Sequence, residues 1–213
     1  MTDPRALLGL PPTSEKLEQY LKQLANITAF DQVPTPEIKS YPDALYTNYF
    51  PLGLSLMFIP KDGPKPITEA DARSDKLALD SVDIYNINIA PEPNGAKTMP
   101  KSSTSSAMVY SPHPVNPLSL PLQPSQDTSK PRPPEISITT TLTGKDILSV
   151  LGEPDRKGGG AGPASGSIGI WCEWTRDGIM IEFGGVEARG PQAWERGKDA
   201  KWEVLTLFRP KDL

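Results

Sequence analysis

Apolar and aromatic positions recur in the same order in two stretches of the chain. The stretch YTNYFPLGLSLMF (46–58) aligns without a gap with WCEWTRDGIMIEF (171–183), so that aromatic falls on aromatic and glycine on glycine. In each stretch the glycine predicts a turn, and the residues after it alternate apolar with variable positions. We therefore predict two β-hairpins, residues 45–59 and 167–184.

The alignment extends to a later strand in each half. Leu79, Val82, Ile84 and Tyr85 align, again without a gap, with Trp202, Leu205, Leu207 and Phe208. Each half therefore has the same predicted order of elements, which is helix, loop, hairpin, long polar loop and strand.

Two helices are predicted from apolar spacing and capping residues. The first helix, from about residue 14 to 25, has an apolar stripe at helical spacing, formed by Leu17, Tyr20, Leu21 and Leu24. In the second half Thr143 and Asp146 resemble a capping box, and the short helix that follows is ended by Gly152. Ahead of it, Ile136 and Ile138 alternate as in a strand.

These elements predict an α+β fold built from tandem αβββ units, related by a pseudo-twofold axis and containing mainly antiparallel sheet. The predicted boundaries are residues 1–90 for the first unit, 91–134 for a Pro/Ser-rich linker arm and 135–213 for the second unit, all packed as one globule. A three-stranded sheet exposes its back unless a helix or its twin covers it. The two units are therefore expected either to share one sheet or to face each other sheet to sheet.

The predicted linker is rich in proline, serine and threonine, and the whole chain contains 25 prolines. Such a composition cannot bury enough apolar surface to offset its ordering entropy. The part from 109 to 122 differs because apolar residues lie among its prolines, and an extended arm of this kind usually packs against something. We favour a strap on the protein's own surface over a partner-binding motif.

Charge and cysteine content narrow the function classes. A net charge of −4 with scattered Lys and Arg argues against nucleic-acid binding and against a basic membrane-binding run. The single cysteine, Cys172, forbids an internal disulfide and is typical of a reducing compartment. Without a recognisable signal peptide or a long apolar run, we expect a soluble, non-secreted protein that is cytoplasmic or nucleocytoplasmic.

The glycine-rich stretch 158–166 is the most suggestive local feature. Its backbone amides and the adjacent Arg156 and Lys157 are groups that bind phosphate. However, the stretch matches neither common nucleotide-binding motif and precedes a predicted strand instead of a helix. A flexible loop is the favoured interpretation.

Aromatic residues and the one histidine supply the remaining candidate binding residues. Trp174 and Trp194 could stack on a sugar or peptide, and Tyr110 and His113 lie in the proline-rich arm. With one His and one Cys we predict no metal site, no cofactor and no catalytic residue. Cys172 is expected to be a buried small hydrophobe.

Carboxylates offer a further alternative, because a pair of them could support hydrolysis. The candidates are Glu173, Asp177, Glu182, Glu187 and Glu195. For Glu173 and Glu182 we expect an ordinary role on the solvent side of the hairpin, each facing a basic neighbour.

The run 143–183 combines a short helix, the pattern LGxPxR, an aromatic-rich strand, a glycine turn and an apolar strand. Its residues are Leu151, Gly152, Pro154, Arg156, Trp171 and Gly178. This run resembles the small αβ units of the BamE/SmpA and β-lactamase-inhibitor-protein group, which implies a binding surface without catalysis. No lipoprotein signal and no cysteine pair accompany it, so compartment and partner do not carry over. The whole chain is also similar to uncharacterised fungal proteins, which implies no function.

The first functional hypothesis is therefore a non-enzymatic intracellular protein that binds another protein or peptide, as an inhibitor or scaffold, through one face of the shared sheet plus the proline-rich arm. Two alternatives stay open. One is a small-ligand- or carbohydrate-binding protein that uses Trp174, Trp194 and the stretch 158–166. The other is a carboxylate-dependent hydrolase.

Overall fold

The structure, a computed structural model, describes residues 3–63, 65, 67–87, 109–125, 131–160 and 169–211. Within these ranges no helix is long and apolar enough to cross a membrane. The predicted glycine-rich stretch lies partly outside them, from residue 161 onward.

Three α-helices are present among the described residues: α1 (Glu15–Ile27), α2 (Gly144–Leu151) and α3 (Ala193–Arg196). The apolar stripe predicted for α1 is buried, from Leu17 to Leu24. At the start of α2 the predicted capping box is formed, with the Thr143 backbone N–H and hydroxyl both donating to the Asp146 carboxylate at 3.0 and 2.6 Å.

The described residues form ten strands. They are β1 (Glu37–Ser40), β2 (Leu45–Tyr49), β3 (Leu54–Pro60), β4 (Leu77–Tyr85), β5 (Leu118–Pro121), β6 (Glu135–Ile138), β7 (Arg156–Gly158), β8 (Trp171–Trp174), β9 (Ile179–Phe183) and β10 (Trp202–Phe208). Eight of them make one sheet in the order β1-β2-β3-β4-β10-β9-β8-β7, and β5 and β6 make a second, two-stranded sheet. Every named strand pair is antiparallel, so the predicted α+β class with mainly antiparallel sheet is confirmed.

The two halves of the large sheet have the same pairing register. In the first half Tyr49 pairs with Leu54, and in the second half Trp174 pairs with Ile179, as the gap-free alignment requires. Each half also has an irregularity at the same place, between Met57 and Phe58 in β3–β4 and at Trp202/Val204 in β9–β10. Since β4 pairs with β10, the two halves share one sheet and do not face each other sheet to sheet.

Each half supplies four strands to the large sheet, which corrects the prediction of three. The additional strands are β1 and β7 at the two edges of the sheet. Both are short, with four and three residues, and they lie in segments rich in proline or glycine. An edge strand needs hydrogen bonds on one side only, so it tolerates a sequence that would not form a central strand.

One face of the large sheet is buried in a single hydrophobic core. This core contains the alternate residues of the central strands, such as Leu56, Val82, Ile181 and Leu205, none more than 1% exposed. The buried side chains of α1, α2 and the β5–β6 sheet belong to the same core. These elements therefore lie on one side of the large sheet.

The proline-rich arm is part of this covering layer. Leu118 and Leu120 of β5 are buried, so this part of the predicted linker is instead a strand paired with β6 across the predicted boundary at residue 135. Earlier in the arm, the backbone N–H groups of Ser111 and His113 donate to the carbonyls of Phe50 and Tyr85 at 2.9 and 2.8 Å. These contacts agree with the interpretation of the arm as a strap.

The strap is also attached to the second hairpin. The carboxylate of Asp177, in the turn between β8 and β9, is 2% exposed. It accepts the backbone N–H of Gln123 at 2.9 Å and forms an ion pair with Arg132 at 2.8 Å. The arm thus contacts the turns of both hairpins and holds them together at one end of the sheet.

The turn glycines Gly53 and Gly178 are required at their positions. Both have left-handed backbone conformations, with φ of +56° and +64°. A Cβ on Gly53 would collide with the Ser111 carbonyl oxygen, and a Cβ on Gly178 with the Phe208 carbonyl oxygen. Backbone atoms of this kind cannot move aside easily.

We predict that Gly178→Ala lowers the free energy of unfolding by about 3 kcal/mol or more, because it adds a backbone collision to an unfavourable φ. Gly63→Ala is the matched control, since Gly63 also has a positive φ of +83° but no atom within 4 Å of the added Cβ. That control should lose only about 1 kcal/mol. Urea unfolding of both variants measures the difference, and equal losses would contradict the packing described for the second turn.

Candidate functional site

The opposite face of the large sheet is crossed by one continuous row of paired residues. From edge to edge the row is Glu37, Asn48, Ser55, Asp83, Thr206, Met180, Glu173 and Arg156, each pairing with the next in the strand register. We call these eight residues the polar row, because seven of them are polar. The described helices and the β5–β6 sheet all contribute to the core on the other side, so we call this side of the sheet the open face.

Side-chain hydrogen bonds connect most of the polar row. The Asn48 amide donates to Glu37 at 3.2 Å, and the Ser55 hydroxyl donates to Asn48 at 2.8 Å. At the other end Arg156 contacts Glu173 at 3.3 Å. These contacts hold most of the row in a fixed arrangement.

Asp83 lies at the middle of the polar row, where the two halves of the sheet meet. Its carboxylate accepts a hydrogen bond from the Thr206 hydroxyl at 2.8 Å. Burial raises the pKa of Asp83 to about 6, against the effect of that hydrogen bond, and the nearby carboxylate of Glu182 adds to the rise. Burial likewise raises the pKa of Glu182, with a further contribution from Glu203.

A cavity of about 540 Å³ opens on this face beside Asp83. Its lining includes four tyrosines, namely Tyr41, Tyr46, Tyr85 and Tyr110. The rings of Tyr85 and Tyr110 are stacked, with centroids 3.6 Å apart, whereas Tyr41 and Tyr46 meet edge to face at 5.7 Å. Burial raises the pKa of Tyr46, and the carboxylate of Asp83 raises it further.

The side chains that line the cavity include more acidic than basic groups. Lys39 and two aspartates, Asp43 and Asp83, line it. The Lys39 ammonium lies 2.9 Å from Glu37, and a hydrogen bond to that carboxylate raises the pKa of Lys39. Among the described residues Asp83 and Glu182 have no ion-pair partner. The centre of the open face is therefore acidic, and no described Lys or Arg forms an ion pair with its carboxylates.

The predicted binding residues in the arm have different positions. Tyr110 reaches the open face, where its ring packs against two others. Its centroid lies 4.5 Å from that of Phe50, and it stacks on Tyr85. His113 is 6% exposed, and its Nδ1 donates to the Leu52 carbonyl at 3.0 Å when the ring is neutral. The strap buries His113 against the first hairpin turn, so this side chain is not part of the open face.

The predicted residues of the second half are not brought together at one site. Arg156 is exposed at the end of the polar row, while the Lys157 ammonium lies 5.6 Å from the centroid of the Trp194 ring. Trp194 is 45% exposed and also lines an apolar cavity of about 290 Å³ beside α2. Trp174 is 3% exposed and donates its indole N–H to the Gly152 carbonyl, so its side chain packs in the core.

Cys172 and the candidate carboxylates mostly have structural roles. Cys172 is buried as predicted, and burial raises the pKa of its thiol to about 11. Glu173 faces the basic Arg156 as expected, and Asp177 holds the arm. Glu182 has no basic neighbour, contrary to the expectation, because its strand partners are Trp171 and Val204.

Sequence reasoning missed the residues at the centre of the open face. Asp83 and Thr206 occupy variable positions between the apolar residues of β4 and β10, and each residue alone is typical of an ordinary solvated strand face. The alignment of the two halves does place Asp83 and Thr206 at equivalent positions of their strands. The alignment alone does not predict that they meet, because only the antiparallel pairing of β4 with β10 places them opposite each other.

We predict that Asp83→Asn stabilises the fold near neutral pH. Because the folded pKa of about 6 lies above the ordinary 3.8, Asp83 favours folding at low pH, and this contribution is lost as pH rises through 6. Going from pH 4 to pH 7, the variant should therefore gain about 1 to 2 kcal/mol relative to the unsubstituted protein. Urea unfolding at both pH values measures the gain; a constant difference would contradict the burial of this carboxylate.

His113 should have the opposite pH dependence. Burial lowers its pKa from 6.5 to about 4, so its contribution to stability is complete above pH 6.5 and declines as pH falls toward 4. Relative to His113→Gln, whose amide can still donate to Leu52, the unsubstituted protein should lose about 1 to 2 kcal/mol between pH 7 and pH 5. Thermal or urea unfolding checks this, and parallel pH curves for the two proteins would count against it.

Among the described residues no group of three or more His, Cys, Asp or Glu is placed to hold a metal ion. Comparisons with protein-family models, with curated proteins and with solved structures find no match to this chain.

Proposed function

We propose that this is a non-enzymatic binding protein, and that the open face together with Tyr110 of the arm binds a basic segment of a protein or peptide. The observation that carries the proposal is the polar row, an ordered line of side chains across eight strands with unpaired acidic groups at its centre. An acidic surface of this kind attracts a positively charged partner and fixes its orientation.

Apolar and aromatic side chains beside the polar row support the same proposal. Met57, Met180, Val204 and Trp171 are half-buried and lie outside the hydrophobic core. Methionine and tryptophan supply adaptable contact area at protein interfaces. A partner would thus bury apolar area around a central charged contact.

We also propose that the two halves are copies of one αββββ unit, located in an intracellular protein. The identical pairing register and the identically placed strand irregularities support the duplication. The single buried cysteine supports location in a reducing compartment. In such a pair Asp83 of one copy lies opposite Thr206 of the other. The binding surface would then form only where the two copies meet, and neither copy alone would have it.

A second candidate is the binding of a small ligand in the cavity beside Asp83. A volume of about 540 Å³ is within the range of small-molecule sites, and tyrosines with a few polar groups are a common lining. This candidate replaces the predicted site at Trp174 and Trp194. A small ligand would contact only the residues that line the cavity. A bound peptide would also contact Met180 and Trp171 in the second half.

The test is selection of binding peptides from a random displayed library, followed by affinity measurement with two matched variants. Met180→Lys adds a positive charge at the polar row, and we expect it to weaken the selected basic peptides at least tenfold, or about 1.4 kcal/mol. Val186→Lys adds the same charge at a loop residue that is 73% exposed and should leave affinity unchanged.

Circular dichroism and urea unfolding of Met180→Lys show whether the variant remains folded. Should it unfold, Met180→Gln, which removes the apolar contact without adding charge, takes its place with an expected loss of several-fold in affinity. Failure to select any peptide, or selected peptides that bind the Met180 variant as tightly as the unsubstituted protein, would contradict a binding role for the open face.

A further inference from the structure

The cavity beside Asp83 combines an unpaired carboxylate with several aromatic rings. Asp83 makes a hydrogen bond to the Thr206 hydroxyl, which leaves its second carboxylate oxygen without a partner among the described hydrogen bonds. The four lining tyrosines surround this part of the open face. Asp83 is half-buried, and a carboxylate partly removed from water without a full set of partners is stabilised by a bound cation.

No described residue supplies the cation. Among the described lining residues Lys39 alone is basic, and its ammonium is bound by Glu37 at 2.9 Å. Asp43 adds a second acidic group at the cavity wall. With Lys39 neutralised by Glu37, the lining carries net negative charge.

The aromatic part of the lining favours one type of cation. A guanidinium group is flat and weakly hydrated, stacks on aromatic rings and donates two parallel hydrogen bonds to a carboxylate. An ammonium group is a compact and strongly hydrated point charge, which loses more hydration in such a site. The Tyr46 ring and the Asp83 carboxylate line the same cavity, and the face of an aromatic ring attracts a cation.

We propose that this cavity receives the guanidinium group of an arginine side chain, an assignment that rests on the proposed binding of a basic partner by the open face. The charged end of the arginine contacts the Asp83 carboxylate, and its plane packs against the tyrosine rings. Arginine is thus the residue by which the partner is positioned along the polar row.

The test uses two small peptides, acetyl-Gly-Arg-Gly-amide and the same peptide with citrulline, which has nearly the same shape as arginine but no charge. Both are titrated into the full-length protein at a pH above the Asp83 pKa of about 6, and binding is followed by NMR shifts of the tyrosine rings. We expect the protein to bind the arginine peptide roughly tenfold more tightly than the citrulline peptide.

Two matched variants locate the preference. Asp83→Asn should abolish the preference for arginine. Asp75→Asn removes the same charge from an exposed position just before the same strand and should keep it. Equal binding of the two peptides, or a preference that survives in Asp83→Asn, would overturn the assignment.

The two proposals can fail separately. If the selected peptides depend on Met180 but the arginine preference does not depend on Asp83, the open face binds a partner and the arginine assignment is wrong. If the arginine peptide depends on Asp83 but no selected peptide depends on Met180, the cavity binds a cation and the wider open-face surface is not the binding site.

Discussion

The pairing of β4 with β10 is the interaction on which the rest of the structure depends. Each half of the chain supplies four strands, and each would otherwise end in an unpaired inner edge with exposed backbone N–H and C=O groups. Joining the two edges makes one continuous sheet, and the matching registers align the apolar residues of both halves on the same face. A single core can then form on that face.

The helices and the small sheet that the structure describes pack on one face of the large sheet, and this determines the character of the other face. The arm, the helices and the small sheet together bury the apolar side, and the arm is held there by contacts to both hairpin turns. On the other side the alternate residues of the same strands form the polar row. The junction between the halves places Asp83 opposite Thr206, so the feature that completes the core also creates the centre of the proposed binding surface.

Much of the fold follows from local patterns in the chain. The two hairpins and the strands after them could be predicted because periodicity and turn glycines act within a few residues, and the gap-free alignment kept their spacing. The edge strands and β5 could not, since their sequences are short or proline-rich and they form only because a partner strand is present. The candidate site was harder still. Asp83 is one more polar residue in a strand until long-range pairing sets its neighbours, whereas Trp174 and His113 suggested binding by residue type and are buried.

The most direct test of the central claim is NMR mapping of a selected basic peptide on the protein. If the open face is the binding surface, the largest amide shifts should fall on the central strands around Ser55, Asp83, Thr206 and Met180 and on Tyr110 of the arm. Shifts concentrated instead on α1, α2 or the β5–β6 sheet, with these residues unaffected, would contradict the account.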